Sequence, residues 1–439
     1  MSGKFLLILL ALLVTTVVTA GDSAPVQHTR TCGGESCEAV FRGFFTFFDR
    51  SLHGLDGNGR SCADCHMPSD QFQMSPAGVE ARFQLLQKRR RWNPFADDPL
   101  FRPVDADDFR TNGNKARDFR NLRENGLVRV QFTLPQNFRL IDPVTNLPSA
   151  ESTVDIWRMV PTVNDVKLTG PDGKNPWARA PNASGGYQLD GRFADLQEQA
   201  LGALLDHAQV QAPPPQRMLD DLAAFQRTLF TNHRVRALSD AISAGVSVLP
   251  DPDPPLSGLE QAGKVVFARS CGQCHGGPGQ STTQAPVVRY HDILTQCPRP
   301  VDTVSPARFN FKPCPERLAR NARTYEITLP NGTTVRRVSS DPGRALLTGF
   351  VGGPPPLDDW NKLDVNGLRG IRHTGPYLHN NSAASLEEVV EHYVEFYKRV
   401  RAGAAPGVVP PVASTDGINF DRQPQPEEIE ALLAYLKKL

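Results

Sequence analysis

The chain carries Cys-x-x-Cys-His twice, as Cys62-Ala63-Asp64-Cys65-His66 and as Cys271-Gly272-Gln273-Cys274-His275. In this pattern the two thiols add to the vinyl groups of a haem, and the adjoining imidazole becomes the proximal ligand of its iron. With only 8 Cys and 10 His in 439 residues, two such matches are not chance. A zinc or dithiol site that happens to precede His is the lesser reading. The implied cofactors are two covalently bound c-type haems, with His66 and His275 on their irons.

The sixth position of each iron then decides the chemistry. A strong sixth ligand makes an electron carrier, whereas an open or water-filled position admits peroxide or O2. All five Met (1, 67, 74, 159 and 218) precede residue 219, so the second motif has no Met in its own half. Its candidates are His379, preferred because it lies in a loop just before a capped helix, then Tyr377, then His373, His392 and His291. The plainer alternative for His379 is a hydrogen-bonded loop histidine. His392, beside Glu391 on a helix, reads as partly solvated. Near the first motif Met74 is the one candidate; a Met packed against the haem edge is the plainer reading, and an open first site is expected.

Elements must hold these residues in place. An apolar helix over 40–51 leads through a Gly-rich turn to the first motif, and a helix over 259–270 runs directly into the second. Helical spacing recurs over 194–207 and 218–230, while the Pro-rich stretch 248–258 suits neither helix nor central strand. The domain boundary therefore falls near 235–255. Segments 91–136 and 290–343 read as insertions, the second with a hairpin of 324–328 and 333–338 around Pro330-Asn331-Gly332. Ser385-Leu386-Glu387-Glu388 is a capping box that opens a helix to about residue 400, and a last helix covers 429–439. The expected fold is all-α: two cytochrome c-type haem domains, 21–240 and 241–439, with long irregular loops and a small β-hairpin insertion.

Residues 1–20 read as a secretory signal, with Lys4 as basic start, an apolar run over 5–18 and a Val18-Thr19-Ala20 cleavage site. A retained N-terminal anchor is the alternative. A periplasmic or otherwise exported location follows, which suits haem attachment outside the cytoplasm. The formal net charge of +1 argues against nucleic acid as a partner. With 35 Gly and 38 Pro, short helices set in long ordered loops are expected. Four further cysteines read as two disulfides, and the local pairing of Cys32 with Cys37 and Cys297 with Cys314 is preferred.

Three segments carry a resemblance: Arg158-Met159-Val160-Pro161-Thr162-Val163-Asn164, Leu189-Asp190-Gly191-Arg192 with Asp195-Leu196-Gln197-Glu198-Gln199-Ala200, and Thr374-Gly375-Pro376-Tyr377-Leu378-His379-Asn380-Asn381-Ser382. These resemble, in order, elements of the bacterial di-haem cytochrome c peroxidases, and the likeness runs from about residue 40 to the end. That superfamily also includes the enzyme that matures methylamine dehydrogenase and the di-haem rubber oxygenases. The resemblance implies Glu198 as acid/base over a peroxide-binding first haem, with Gln199 in the same pocket, although Asp195 to Glu198 also fits a helix cap. It implies a Trp between the haems, Trp177 in preference to Trp157, each otherwise a core aromatic. His207 is read as structural, on the Leu196, Ala200 and Ala203 side of its helix. Leu189 stands where the family has Trp. Without a Met the second haem has a lower potential, which weakens the case for a high-potential cytochrome as donor.

The expected function is a peroxidase-like oxidoreductase that reduces hydrogen peroxide at the first haem with electrons relayed by the second. A di-haem electron carrier, or an oxygenase or protein-modifying enzyme on the same scaffold, are the alternatives. Expected partners are hydrogen peroxide or O2 and an external donor such as a small cytochrome or cupredoxin. The resemblance also admits a Ca2+ between the domains and a homodimer.

Overall fold

The structure, a computed structural model, describes residues 31–106, 119–170, 186–280, 290–300, 311–352, 358–403 and 422–439. The expected signal segment and Trp177 lie outside the described residues. In the first half, α1 (Cys37–Phe48) leads to α2 (Cys62–Cys65), and α3 (Leu196–Asp206) and α4 (Gln216–Gln226) follow. In the second half, α5 (Gly258–Ser270) ends at Cys271, and α6 (Leu386–Gly403) and α7 (Ile429–Leu436) follow. No helix among the described residues is long and apolar enough to cross a membrane.

The halves repeat each other in two places. α1 crosses α4 at Gly43, where an added Cβ would sit 1.9 Å from the Asp221 carbonyl oxygen; α5 crosses α7 at Gly263, where it would sit 1.9 Å from that of Ala431. Only glycine permits so close an approach of two helix backbones. The second repeat is a turn that enters a helix. Tyr187 bridges to Phe193 just before α3, and Tyr377 bridges to Ala383 just before α6. Asp195 then accepts from the Glu198 N–H at 2.8 Å, and Ser385 from the Glu388 N–H at 3.3 Å. The two glutamates each reach back to a backbone N–H, that of Ala194 at 2.9 Å and that of Ala384 at 2.7 Å. Residue by residue, the spacing from Tyr187 to Glu198 equals that from Tyr377 to Glu388.

The all-α expectation is too narrow. Helices dominate, but small antiparallel sheets join them. β1 (Leu127–Thr133) pairs with β3 (Thr153–Met159), and β2 (Phe138–Leu140) pairs with the hairpin of β4 (Arg323–Thr328) and β5 (Thr334–Ser339). The hairpin stands where its Pro-Asn-Gly turn places it. Its partner β2 comes from the other half, and one apolar core containing Phe132 and Ile156 with Tyr325 and Trp360 closes around them. The halves therefore share a sheet and a core. Both disulfides, Cys32–Cys37 and Cys297–Cys314, form as expected.

Candidate functional site

A single cavity of about 440 Å3 has Cys62, Cys65, His66, Cys271, Cys274 and His275 in its wall. Local structure explains how each motif is presented. Ser61 and Asp64 form a capping box on α2, with the Asp64 carboxylate accepting from the Ser61 N–H at 2.9 Å. Arg50 and Arg82 reach the same carboxylate at 2.6 and 2.9 Å, so this buried acid is neutralised and the short helix is fixed. At the second motif the preceding helix α5 simply runs into Cys271, its own start held by the Ser257–Glu260 capping box.

Each proximal imidazole is aimed by one nitrogen. His66 Nδ1 donates to the Phe72 carbonyl at 3.0 Å, and His275 Nδ1 lies 3.2 and 3.1 Å from the carbonyl oxygens of Gln280 and Asn366. A carbonyl only accepts, so Nδ1 carries the hydrogen and the Nε2 lone pair is left for a metal. Burial lowers the pKa of both rings, to about 4 for His275, so both are neutral ligands at physiological pH. The four motif cysteines are free of disulfides. Burial pushes the thiols of Cys62, Cys65 and Cys271 up to about 12. Two thiols and one oriented imidazole, facing a largely apolar wall in each half, are a donor set that fits a covalently held haem. Among the described residues no group of three or more His, Cys, Asp or Glu side chains is arranged to hold a bare metal ion.

The residues expected around the irons fall in different places. Gln199 lines the cavity; Glu198 does not, being exposed with its carboxylate bound to the Ala194 N–H in the helix cap. His207 lies on the Leu196, Ala200 and Ala203 side of α3 as expected, and that side faces the cavity. Its Nδ1 lies 2.8 Å from Asp105 Oδ2, and Arg60 donates to the same oxygen at 2.5 Å. Although burial works against it, Arg60 holds the Asp105 carboxyl below its usual range. Met74 is buried in an apolar cluster with Val79 and Leu86 and is absent from the cavity wall. Trp157 is buried beside Leu127 and Leu318 and is also absent from the wall.

At the second motif, His379, Tyr377 and His291 line the cavity. His379 Nδ1 is 2.9 Å from the Thr295 hydroxyl, while its buried Nε2 has no hydrogen-bond partner and lies 3.9 Å from Asp341. Burial lowers the His379 pKa to about 4. Asp341 in turn takes a paired contact from Arg158 at 2.7 and 2.8 Å, and Arg158 also donates to Asp190. His379 is thus attached to a buried charge cluster that ties the halves together. His392 is buried rather than solvated, with Nε2 2.7 Å from the Ile293 carbonyl, and His373 is exposed against Arg372.

From the sequence Tyr393 reads only as a residue on the buried side of its helix, not as a site residue. It lies in the cavity wall on α6, and burial raises the pKa of its phenol. The turn-and-helix repeat is the signal that finds it. Continuing the same spacing, Tyr393 on α6 stands where Ala203 stands on α3, and Ala203 also lines the cavity.

No family model matches the chain, and no curated protein matches it. Among solved structures it is similar to a MauG-like protein associated with microbial copper homeostasis, at 18% identity and a TM-score of 0.44, covering 95% of this chain and 91% of that one. It is similar to the hydrazine synthase of Kuenenia stuttgartiensis at 15% identity and a TM-score of 0.37, covering 97% and 99%. It is also similar to the diheme peroxidase BthA of Burkholderia thailandensis E264 at 15% identity and a TM-score of 0.39, covering 95% and 89%. A MauG-like protein and a diheme peroxidase are thus among the solved structures to which this chain is similar.

Proposed function

We propose that the chain is an exported di-haem c-type cytochrome that reduces hydrogen peroxide at the site of the first motif, with electrons supplied through the second. The observation that carries this reading is the difference between the two repeats: Ala203 where a side chain would meet the first site, Tyr393 at the corresponding place in the second. When bound, haem supplies an open iron for peroxide at the first site and a one-electron relay at the second. Cys62 and Cys65, and Cys271 and Cys274, would anchor the two groups, while His66 and His275 would offer Nε2 to the irons. Ala203 leaves the first site uncapped, and Met74 is packed elsewhere. At the second site Tyr393 and His379 are the two capping candidates, and the repeat favours Tyr393.

Reducing one peroxide to two waters takes two electrons and two protons, so a proton donor must face the first site. Glu198 fills that role only by releasing the Ala194 N–H. His207 already faces the cavity, with Asp105 holding its Nδ1. Donors of the required class are small cytochromes or cupredoxins. The reading is tested by electron paramagnetic resonance of the oxidised protein and again after one-electron reduction. A high-spin ferric signal from the first haem in either state is expected; low-spin signals alone in both states would leave a pure electron carrier as the function.

A further inference from the structure

Helix α1 is apolar on the side that faces away from the protein. Phe41, Phe44, Phe45 and Phe48 are 64%, 43%, 55% and 36% exposed, and their spacing puts all four on one stripe. The opposite stripe, with Gly43 and Phe47, makes the crossing with α4. Glu38 and Arg42 are the charged residues of this helix, and Arg42 is engaged by Asp221 at 2.6 and 2.7 Å. Four exposed aromatics on one helix face oppose the ordinary burial trend and mark a binding surface.

Two observations say what binds. The stripe offers on the order of 400 Å2, against about 800 Å2 per side for a stable complex; weak electron-transfer encounters lie at that low end. The stripe is also continuous with the first site. Phe41 meets Phe45 at 4.7 Å between ring centroids, Phe45 meets Phe44 at 5.4 Å, and Phe44 meets Phe48 at 4.9 Å. Phe48 then meets the buried Phe47 at 5.5 Å, and Phe47 lies 6.3 Å from the ring of His66. A partner seated on α1 is therefore joined to the first iron ligand by a chain of touching rings.

We infer that the exposed face of α1 is the docking surface for a small one-electron redox protein, a cupredoxin or c-type cytochrome with an apolar rim around its metal. In each encounter one electron would leave the partner's reduced metal, which becomes oxidised, and would reduce the ferric iron of the haem held by His66 to ferrous, with no bond made or broken. This rests on the di-haem reading and adds an entry point at the first site to the relay through the second. Because the face is apolar, the encounter depends weakly on ionic strength.

The test uses the holoprotein with both haems counted by pyridine haemochrome, so that absence of haem overturns the functional reading itself. Reduced azurin and a small reduced cytochrome c serve as probes in stopped-flow mixing. The double variant F41S/F45S, altered only at exposed positions, is expected to lower the second-order transfer rate at least 10-fold for one probe or both. Reduction by dithionite and the melting temperature should stay as in the parent. Transfer unchanged by the substitutions, or no transfer from either probe to the parent protein, overturns the docking surface while leaving the haem reading intact. A parent dimer that F41S/F45S splits in sedimentation would assign the face to a second copy and likewise overturn it.

Discussion

At the scale of single residues, the two repeats differ at one position of the cavity wall, Ala203 in the first and Tyr393 in the second. Tyr393→Phe removes a phenol oxygen while keeping the ring, so the second haem should turn high-spin by paramagnetic resonance with haem content unchanged. If His379 were the cap, Tyr393→Phe would leave that spectrum as it was and His379→Ala would change it. The proton donor separates in the same way. Replacing the residue that protonates the leaving oxygen should lower peroxide turnover about 100-fold with the haem spectra nearly unaltered. Glu198→Gln and His207→Gln, measured side by side, assign the role. The cap geometry predicts that Glu198→Gln is the milder of the two, because that carboxylate is occupied by a backbone N–H. Equal turnover in His207→Gln and the parent would remove the Asp105–His207 pair from the reaction.

Among the elements, the two helix crossings govern whether the motifs are presented at all. Gly43→Ala and Gly263→Ala would each drive a methyl into a carbonyl of the partner helix, at a cost of about 3 kcal/mol. Gly258→Ala, with open space around its Cβ, is the control and should leave the melting temperature within a degree or two of the parent or above it. These helices were legible in the sequence, as were both Cys-x-x-Cys-His motifs, the Ser385 cap and the hairpin around Asn331-Gly332, because each is written in adjacent residues. What is settled by distant pairing was not. β1 lies within what reads as an insertion while its partner β3 lies outside it, and β2 finds its partner in β4 far along the chain. Glu198 shows the other limit. The residues Asp195 to Glu198 fit both a helix cap and a catalytic acid, and only the folded turn reveals that the carboxylate faces the backbone. Tyr393 was legible as a buried-side helix residue, but its place at the site stayed hidden because that signal is the likeness between two halves rather than anything in its own neighbourhood.

For the molecule as a whole, the shared sheet and the Arg158 cluster make the two halves one structure. Arg158 is buried between Asp341 and Asp190; both carboxylates, despite the burial that opposes any charge, keep its guanidinium firmly protonated. Elsewhere the interior opposes charge without such help. Burial raises Asp292 to about 7, with Asp358 adding to the effect and the Leu294 N–H working against it. Unfolded, this carboxyl ionises near about 3.9. A folded pKa above the unfolded one means the folded state holds the proton longer, so this contribution is fully present below about pH 4 and is lost as pH rises to about 7. The melting temperature should therefore fall between pH 5 and pH 8, and Asp292→Asn should flatten that fall; an unchanged slope in the variant would place its origin elsewhere. The cavity has a consequence for how such a chain comes into being. Its walls are largely apolar, they are supplied by both halves, and on the proposed reading the groups they fit would be tied to the motif cysteines. A polypeptide that closes before those thioethers form has a hollow where its centre should be, and large apolar voids are strongly destabilising. On that reading haem attachment would be a step of folding itself, completed while the chain is still open, and the cofactors would serve as the innermost layer of the fold they later put to use.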